Sequence, residues 1–226
     1  MKTINLTHPG GVGDGIMMSS YIKEKYCKEY DFVHLIVPRL NNLFKDLYND
    51  TDNIRFDRSN AGTIKLSPQS DEIIDHSSWR DVTFNRDIEG EENTYQEMVK
   101  HSGKDYILIH ERPKDNVGRK MKPIDRSYIK SDLPVINLDV DWLNTNGLSI
   151  QPILSYVKVL QQAKEIHFYE GSFMNLADSF CNTTKLFGHL YCKPHYFDEK
   201  MIHNYIIKSI EKGKWHKNNW TYLWPA

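Results

Sequence analysis

The sequence predicts an α/β protein built from two Rossmann-like halves, each on a parallel sheet. Three observations predict it. Short apolar runs at Thr3–Thr7, Phe32–Val37, Tyr106–His110 and Glu165–Tyr169 read as buried strands. Stretches with apolar residues at helical spacing alternate with them, the order of βαβ units and hence of parallel pairing. The two halves also open alike, on a strand followed by a loop.

In order, Ile4-Asn5-Leu6 leads through a glycine-rich loop, Gly10 to Gly13, into a helix over about Asp14 to Tyr26. The second strand stops at Pro38, and Leu40, Leu43, Phe44 and Leu47 then give a helical stripe. Residues 57–92 are polar and turn-rich, with short apolar runs at Thr63–Leu66 and Glu72–Ile74. The cluster Glu89, Glu91 and Glu92 suggests a boundary or irregular insertion over 85–103. The division is placed at residue 100, giving halves 1–100 and 101–226.

The second half opens on Tyr106–His110, followed by a basic loop and a strand over Pro134–Leu138. Ile150, Ile153, Leu154, Val157 and Leu160 recur at helical spacing, with Pro152 suited to a first turn. The strand Glu165–Tyr169, a helix starting just after Gly171, a short strand Lys185–Phe187 and a helix over Asp198–Lys212 complete it. The tail from Lys214 is rich in tryptophan.

Composition narrows the function classes. Hydrophobic residues at 39% and aromatics at 12% of 226 residues supply a real core. Lys+Arg 29 against Asp+Glu 30 leaves a formal charge of -1, so no whole-chain field draws nucleic acid. Cys27, Cys181 and Cys192 are an odd set without zinc spacing, as expected for reduced thiols of a cytoplasmic protein. No apolar run approaches the ~20 residues of a membrane span, and no signal-peptide pattern precedes the first strand. His189, His195 and His203 lack ligand spacing on one face, so no metal site is expected, and His167 reads as a packed core histidine.

Three corners carry candidate chemistry. The loop His8-Pro9-Gly10-Gly11-Val12-Gly13-Asp14 offers close backbone approach at Gly10, Gly11 and Gly13, and Asp14 is both a helix N-cap and a candidate base. It is neither a dinucleotide fingerprint nor a P-loop. After the strand ending at His110 come Arg112, Lys114 and Arg119, with Lys120 and Lys122 adding field. A guanidinium there suits phosphate oxygens. The third corner is Glu170-Gly171-Ser172, between a strand and a helix, where free N–H groups favour anions.

Gly-Gly-Val-Gly-Asp-Gly-Ile after a first strand resembles the opening of the heptosyltransferase-type glycosyltransferases, the ADP-heptose:lipopolysaccharide kind with a GT-B fold. In that family the aspartate after the last glycine is the candidate catalytic base, here Asp14. Leu35-Ile36-Val37-Pro38-Arg39 resembles the family's second strand and its exit. The family's donor signature, Asp-Ser-Gly-x-x-His-Leu-Ala, resembles Glu170-Gly171-Ser172-Phe173-Met174-Asn175-Leu176-Ala177, with Glu170 in the aspartate's place and Asn175 in the histidine's. His110-Glu111-Arg112 resembles the donor loop of GT-B-like fucosyltransferases, in which the arginine neutralises a pyrophosphate.

The resemblance covers residues 3–50 and 104–190. It implies a compact GT-B-like, metal-independent glycosyltransferase moving a sugar from a nucleotide-diphospho-sugar to a glycan or other hydroxyl acceptor. His110, Arg112, Lys114, Arg119, Glu170, Gly171, Ser172 and Asn175 would hold the donor, with no cofactor beyond that co-substrate. Asp14 would face them across a cleft, with Gly10, Gly11 and Gly13 on the acceptor side. Trp215, Trp220, Tyr222 and Trp224 could stack on sugar rings or dock on a partner, and covering the other half, as aromatic tails do in such folds, is the first reading. The short chain implies a trimmed acceptor half. The rival readings are a non-catalytic nucleotide- or glycan-binding module and a structural or assembly protein.

Overall fold

The structure, a computed structural model, describes residues 1–7, 12–37, 47–58, 72–73, 84–114, 118, 120–169, 171–192 and 218–223. The chain divides into two units, Met1–Arg86 with Pro152–Leu154, and Asp87–Gln151 with Ser155–Ala226. Each is α/β with a parallel, Rossmann-like sheet.

In the N-terminal unit β1 (Thr3–Thr7), β2 (Phe32–Val37), β3 (Ile54–Arg58) and β4 (Glu72–Ile73) lie in the order β3-β2-β1-β4, all parallel. Leu6, Val33, Leu35 and Val37 are fully buried, as central strands of a covered parallel sheet require. Helix α1 (Val12–Ile22) buries Ile16, Met18 and Ile22, and continues as a π-helical turn over Lys23–Cys27. Asn53 closes this turn by donating from Nδ2 to the carbonyls of Cys27 (2.9 Å) and Tyr30 (2.8 Å). The helix begins earlier than expected, so Gly13 and Asp14 stand inside its first turn and Asp14 is not its N-cap. The expected stripe at Leu40, Leu43 and Phe44, like the run Thr63–Leu66, lies outside the described residues.

The C-terminal unit begins with α2 (Ile88–Ser102) in place of an irregular insertion. Asp87 caps it by accepting from the Gly90 N–H at 2.9 Å, and Glu89 and Glu91 complement the dipole of its first turn. The acidic cluster is therefore a helix start. Then come β5 (Ile107–His110), β6 (Val135–Asn137), α3 (Val140–Thr145), α4 (Val157–Gln162), β7 (Glu165–Phe168), α5 (Ser172–Phe180), β8 (Lys185–His189) and β9 (Trp220–Leu223). The strands order as β6-β5-β7-β8-β9, all parallel. Helix α2 packs on α4, and α4 on α5. The buried Tyr106 hydroxyl donates to the Val159 carbonyl at 2.8 Å, tying the β5 approach to α4.

Part of the tryptophan-rich tail is a strand, which the sequence did not predict. Trp220 and Tyr222 form the fifth strand of the unit's own sheet, pairing with β8. Trp220 Nε1 (2.9 Å) and the Asn218 N–H (3.0 Å) both donate to Asp178 Oδ1, and Asn218 Nδ2 donates to the carbonyls of Asp178 (2.7 Å) and Cys181 (2.6 Å). Asp178 is buried on α5, so this clamp exchanges a costly buried carboxylate for satisfied hydrogen bonds. Trp215, Trp224 and the expected helix over 198–212 lie outside the described residues.

The three cysteines are free. Among the described residues no helix is long and apolar enough to cross a membrane.

Gly188 on β8 marks the tightest approach in this sheet. A Cβ there would come within 2.9 Å of both Met174 Cε and Tyr222 Cδ1. Met174 can swing aside, but the Tyr222 ring stands directly across the ladder. Gly188→Ala should therefore cost about 1–3 kcal/mol by overpacking, read as a lower urea midpoint at unchanged slope. An unchanged midpoint would show that β9 yields freely.

Candidate functional site

In the C-terminal sheet the chain steps from β5 to β6 on one side, then crosses to β7 on the other. The order reverses between β5 and β7, and ligands of open parallel sheets bind outside the carboxyl ends of strands at such a point. His110 ends β5 and Tyr169 directly follows β7. Their rings stack with centroids 4.7 Å apart, and Tyr169 Oη lies 3.4 Å from His110 Nε2. Phe173 stands edge-on to His110 at 4.9 Å. Below, Ile109, Met121, Ile124, Tyr169, Tyr191 and Cys192 form a buried apolar cluster. The floor of this corner is aromatic.

Its rim is held by Asn137, at the end of β6. The Glu111 N–H donates to Asn137 Oδ1 (2.9 Å) and Asn137 Nδ2 donates to the Glu111 carbonyl (2.8 Å), while Asn137 Oδ1 also accepts the Asp139 N–H (3.2 Å). Both backbone groups of Glu111 are thus fixed. Its carboxylate accepts the Ile124 N–H at 2.8 Å and meets Arg126 at 3.3 Å.

Held this way, Arg112 projects over Tyr169, its guanidinium carbon 5.8 Å from the ring centroid. It is half-buried, its Nε is shielded from solvent with no hydrogen-bond partner, and among the described residues it makes no ion pair. A guanidinium with unused donors beside an aromatic face is equipped for a planar or phosphate anion. Beyond it Lys114 and Lys120 form an antiparallel bridge, and the Met121 N–H donates to the Pro113 carbonyl. Gly118 takes a φ of 85°. Lys114, Lys120 and Lys122 are exposed.

The third wall is the start of α5. Gly171 is its N-cap, with no side chain capping it, and the Asn175 N–H makes the first helical bond, to the Gly171 carbonyl at 3.1 Å. The N–H groups of Ser172, Phe173 and Met174 precede that bond and point out of the helix. A Cβ on Gly171 would lie 3.5 Å from the Tyr169 ring, so this end of the helix is close to the aromatic floor. Asn175, one turn in, is 4% exposed, and its Oδ1 has no hydrogen-bond partner. The Cα–Cβ bond of a helical residue tilts toward the N-terminus. Asn175 thus holds a buried, unpaired acceptor one turn into α5.

The structure brings His110, Arg112, Gly171, Ser172 and Asn175 to one corner of the C-terminal unit. Lys114 stands in the antiparallel bridge with Lys120. Arg119, Glu170, Gly10 and Gly11 lie outside the described residues, and Gly13 and Asp14 belong to α1 of the N-terminal unit. Sequence reasoning missed Tyr169 and Phe173, which make the floor, and Asn137, which fixes the rim. Their only signal was an aromatic pair flanking the Gly-Ser corner. Asn137 acts only once β6 pairs with β5. Among the described residues no group of three His, Cys, Asp or Glu could hold a metal ion.

No protein-family model matches the chain, and a search of curated proteins finds no match.

The Asn137 brace is testable. Asn137→Leu would leave the buried-side N–H groups of Glu111 and Asp139 and the Glu111 carbonyl without protein partners, at about 1–3 kcal/mol for each group water cannot reach. The urea midpoint should fall accordingly, and Asn137→Asp, which keeps the acceptor but not the donor, should recover part of the loss.

Proposed function

We propose that this chain is a cytoplasmic, GT-B-like glycosyltransferase whose C-terminal unit binds a nucleotide-diphospho-sugar at the β5/β7 corner. The observation that carries the reading is the Arg112 guanidinium, its donors unspent among the described residues, held over Tyr169 beside the uncapped start of α5. That pairing of a fixed cation with free backbone donors suits a diphosphate, whose charge grows as the sugar departs. Asn175 Oδ1, an acceptor, suits a hydroxyl of the ribose or sugar. Lys114 and Lys120 extend the positive field toward the leaving group. Asp14, in the N-terminal unit, is the base that takes the acceptor's hydroxyl proton, as the resemblance of its Gly-Val-Gly-Asp loop implies. The reaction so drawn calls on no metal, since basic side chains and the helix start stabilise the diphosphate.

Isothermal titration with UDP-, GDP- and ADP-sugars, followed by transfer assays with radiolabelled donor, tests the reading. One donor class should bind, and Arg112→Gln should weaken it by about tenfold to a hundredfold, the worth of a charge-assisted bond at about 1.5–3 kcal/mol. The same substitution should leave binding of the bare nucleoside unchanged. Asp14→Asn should keep donor binding and abolish transfer. Binding without transfer or hydrolysis would instead establish a non-catalytic module, and no binding of any nucleotide-sugar would overturn the proposal.

A further inference from the structure

The C-terminal unit buries two histidines that the donor corner does not use. His167 on β7 and His189 on β8 have no exposed surface. His167 Nδ1 lies 3.0 Å from His189 Nε2, and His189 Nδ1 lies 3.1 Å from Tyr191 Oη. The Tyr191 oxygen accepts the Asp125 N–H at 2.8 Å. At the other end His167 Nε2 is 3.5 Å from Glu165 Oε2, and the second Glu165 oxygen accepts from Lys185 Nζ at 3.2 Å. Ile124, next to Asp125, donates its N–H to the Glu111 carboxylate. The segment 124–126 is therefore gripped from one side by Tyr191 and from the other by Glu111, the neighbour of Arg112.

Donor and acceptor inventory fixes the protons. The Glu165 carboxylate, paired with Lys185, can only accept, so His167 carries its proton on Nε2. Its Nδ1 is then an acceptor, which puts the His189 proton on Nε2 as well. His189 Nδ1 is left to accept, so the Tyr191 hydroxyl donates to it while taking the Asp125 N–H on its oxygen. Every group is satisfied in this one direction, with both rings neutral. Reversal would set a lone pair against the carboxylate.

We infer that Glu165, His167, His189 and Tyr191 form a proton-ordered brace, holding segment 124–126 against Glu111 while both imidazoles are neutral. His167, His189 and Tyr191 are thereby positioning residues for Arg112. The link to ligand affinity rests on the donor reading given above, whereas the brace itself does not.

The groups facing the pair favour neutrality. Phe187 stacks on His167 at 4.5 Å and Tyr128 stands edge-on to His189 at 5.8 Å. Burial is the main cause holding the His167 pKa down, against the opposing pull of Glu165 and with some help from Arg126. Burial, then His167, then Arg126 push His189 to about 3, against the weaker pull of Asp125. An unfolded histidine takes up a proton near 6.5. Both depressed groups therefore add stability that is present above about 6.5 and lost as pH falls below it, for His189 down to about 3. The loss is up to about tenfold in the unfolding constant per pH unit for each ring.

Long-range ¹H–¹⁵N spectra of protein labelled at histidine test the proton order. Both rings should show the Nε2–H tautomer at pH 7.5 and keep it at pH 5.5. An Nδ1–H tautomer at either ring, or titration of either near 6.5, would overturn the brace. Hydrogen exchange then tests its mechanical role. Tyr191→Phe should speed exchange of the Asp125 amide by about tenfold or more and weaken binding of whichever of UDP-glucose, GDP-mannose or ADP-glucose the wild type binds. Unchanged exchange at Asp125 refutes the grip, and faster exchange with unchanged affinity refutes the link to Arg112. If the wild type binds none of the three, the donor reading fails while tautomers and exchange still decide the brace.

Discussion

The C-terminal unit depends on one constraint, the parallel register of β5 between β6 and β7. It sets Ile109 beside Asn137 and His110 beside Phe168, so the three strand ends emerge together on one edge. Parallel strands need a crossover on either side, and reversing the crossover direction opens the crevice. Each polar device described above hangs on that edge. Asn137 can reach the Glu111 backbone only in this register, and the His110–Tyr169 stack spans the same gap.

The corner invests stability in an unsatisfied arrangement. Arg112 keeps a shielded Nε without a partner, and Asn175 keeps a buried carbonyl oxygen without a donor. Buried polar groups are ordinarily paired, so each exception marks an unusual place in the fold. The surroundings tolerate this because they are over-determined. The floor is stacked aromatic rings and the rim is cross-braced by Asn137.

Helix α5 links the two ends of the unit's architecture. Its first turn forms a wall of the corner, and Asp178 near its last turn takes the hydrogen bonds from Asn218 and Trp220. The tail thus fixes the far end of a short, stiff element whose near end faces the crevice. On the neighbouring strands the buried histidine pair anchors the segment behind Arg112. Sheet edge, helix and return loop are each tied down by a hydrogen bond from a residue distant in sequence.

The sequence by itself determined the strands with a buried apolar centre. Phe32–Val37, Tyr106–His110 and Glu165–Tyr169 read clearly because consecutive apolar residues mark a strand covered on both faces, and Thr3–Thr7 because Ile4 and Leu6 alternate with polar residues. It also placed Arg112, Gly171 and Ser172 after strand ends, since Gly and charge punctuate apolar runs. Ile54–Arg58 escaped because its charged residues sit on a sheet edge, and Ile88–Ser102 because a capped acidic first turn resembles a loop in composition. Trp220–Leu223 escaped because aromatic richness alone does not distinguish a strand from a docking tail. Only the tertiary structure decided that β7 lies beside β5, that Asn137 braces Glu111 and that His167 meets His189. Those are contacts between residues 22 or more positions apart, set by strand order. Local periodicity reports which face of an element is apolar, whereas strand order is a property of the whole chain's packing.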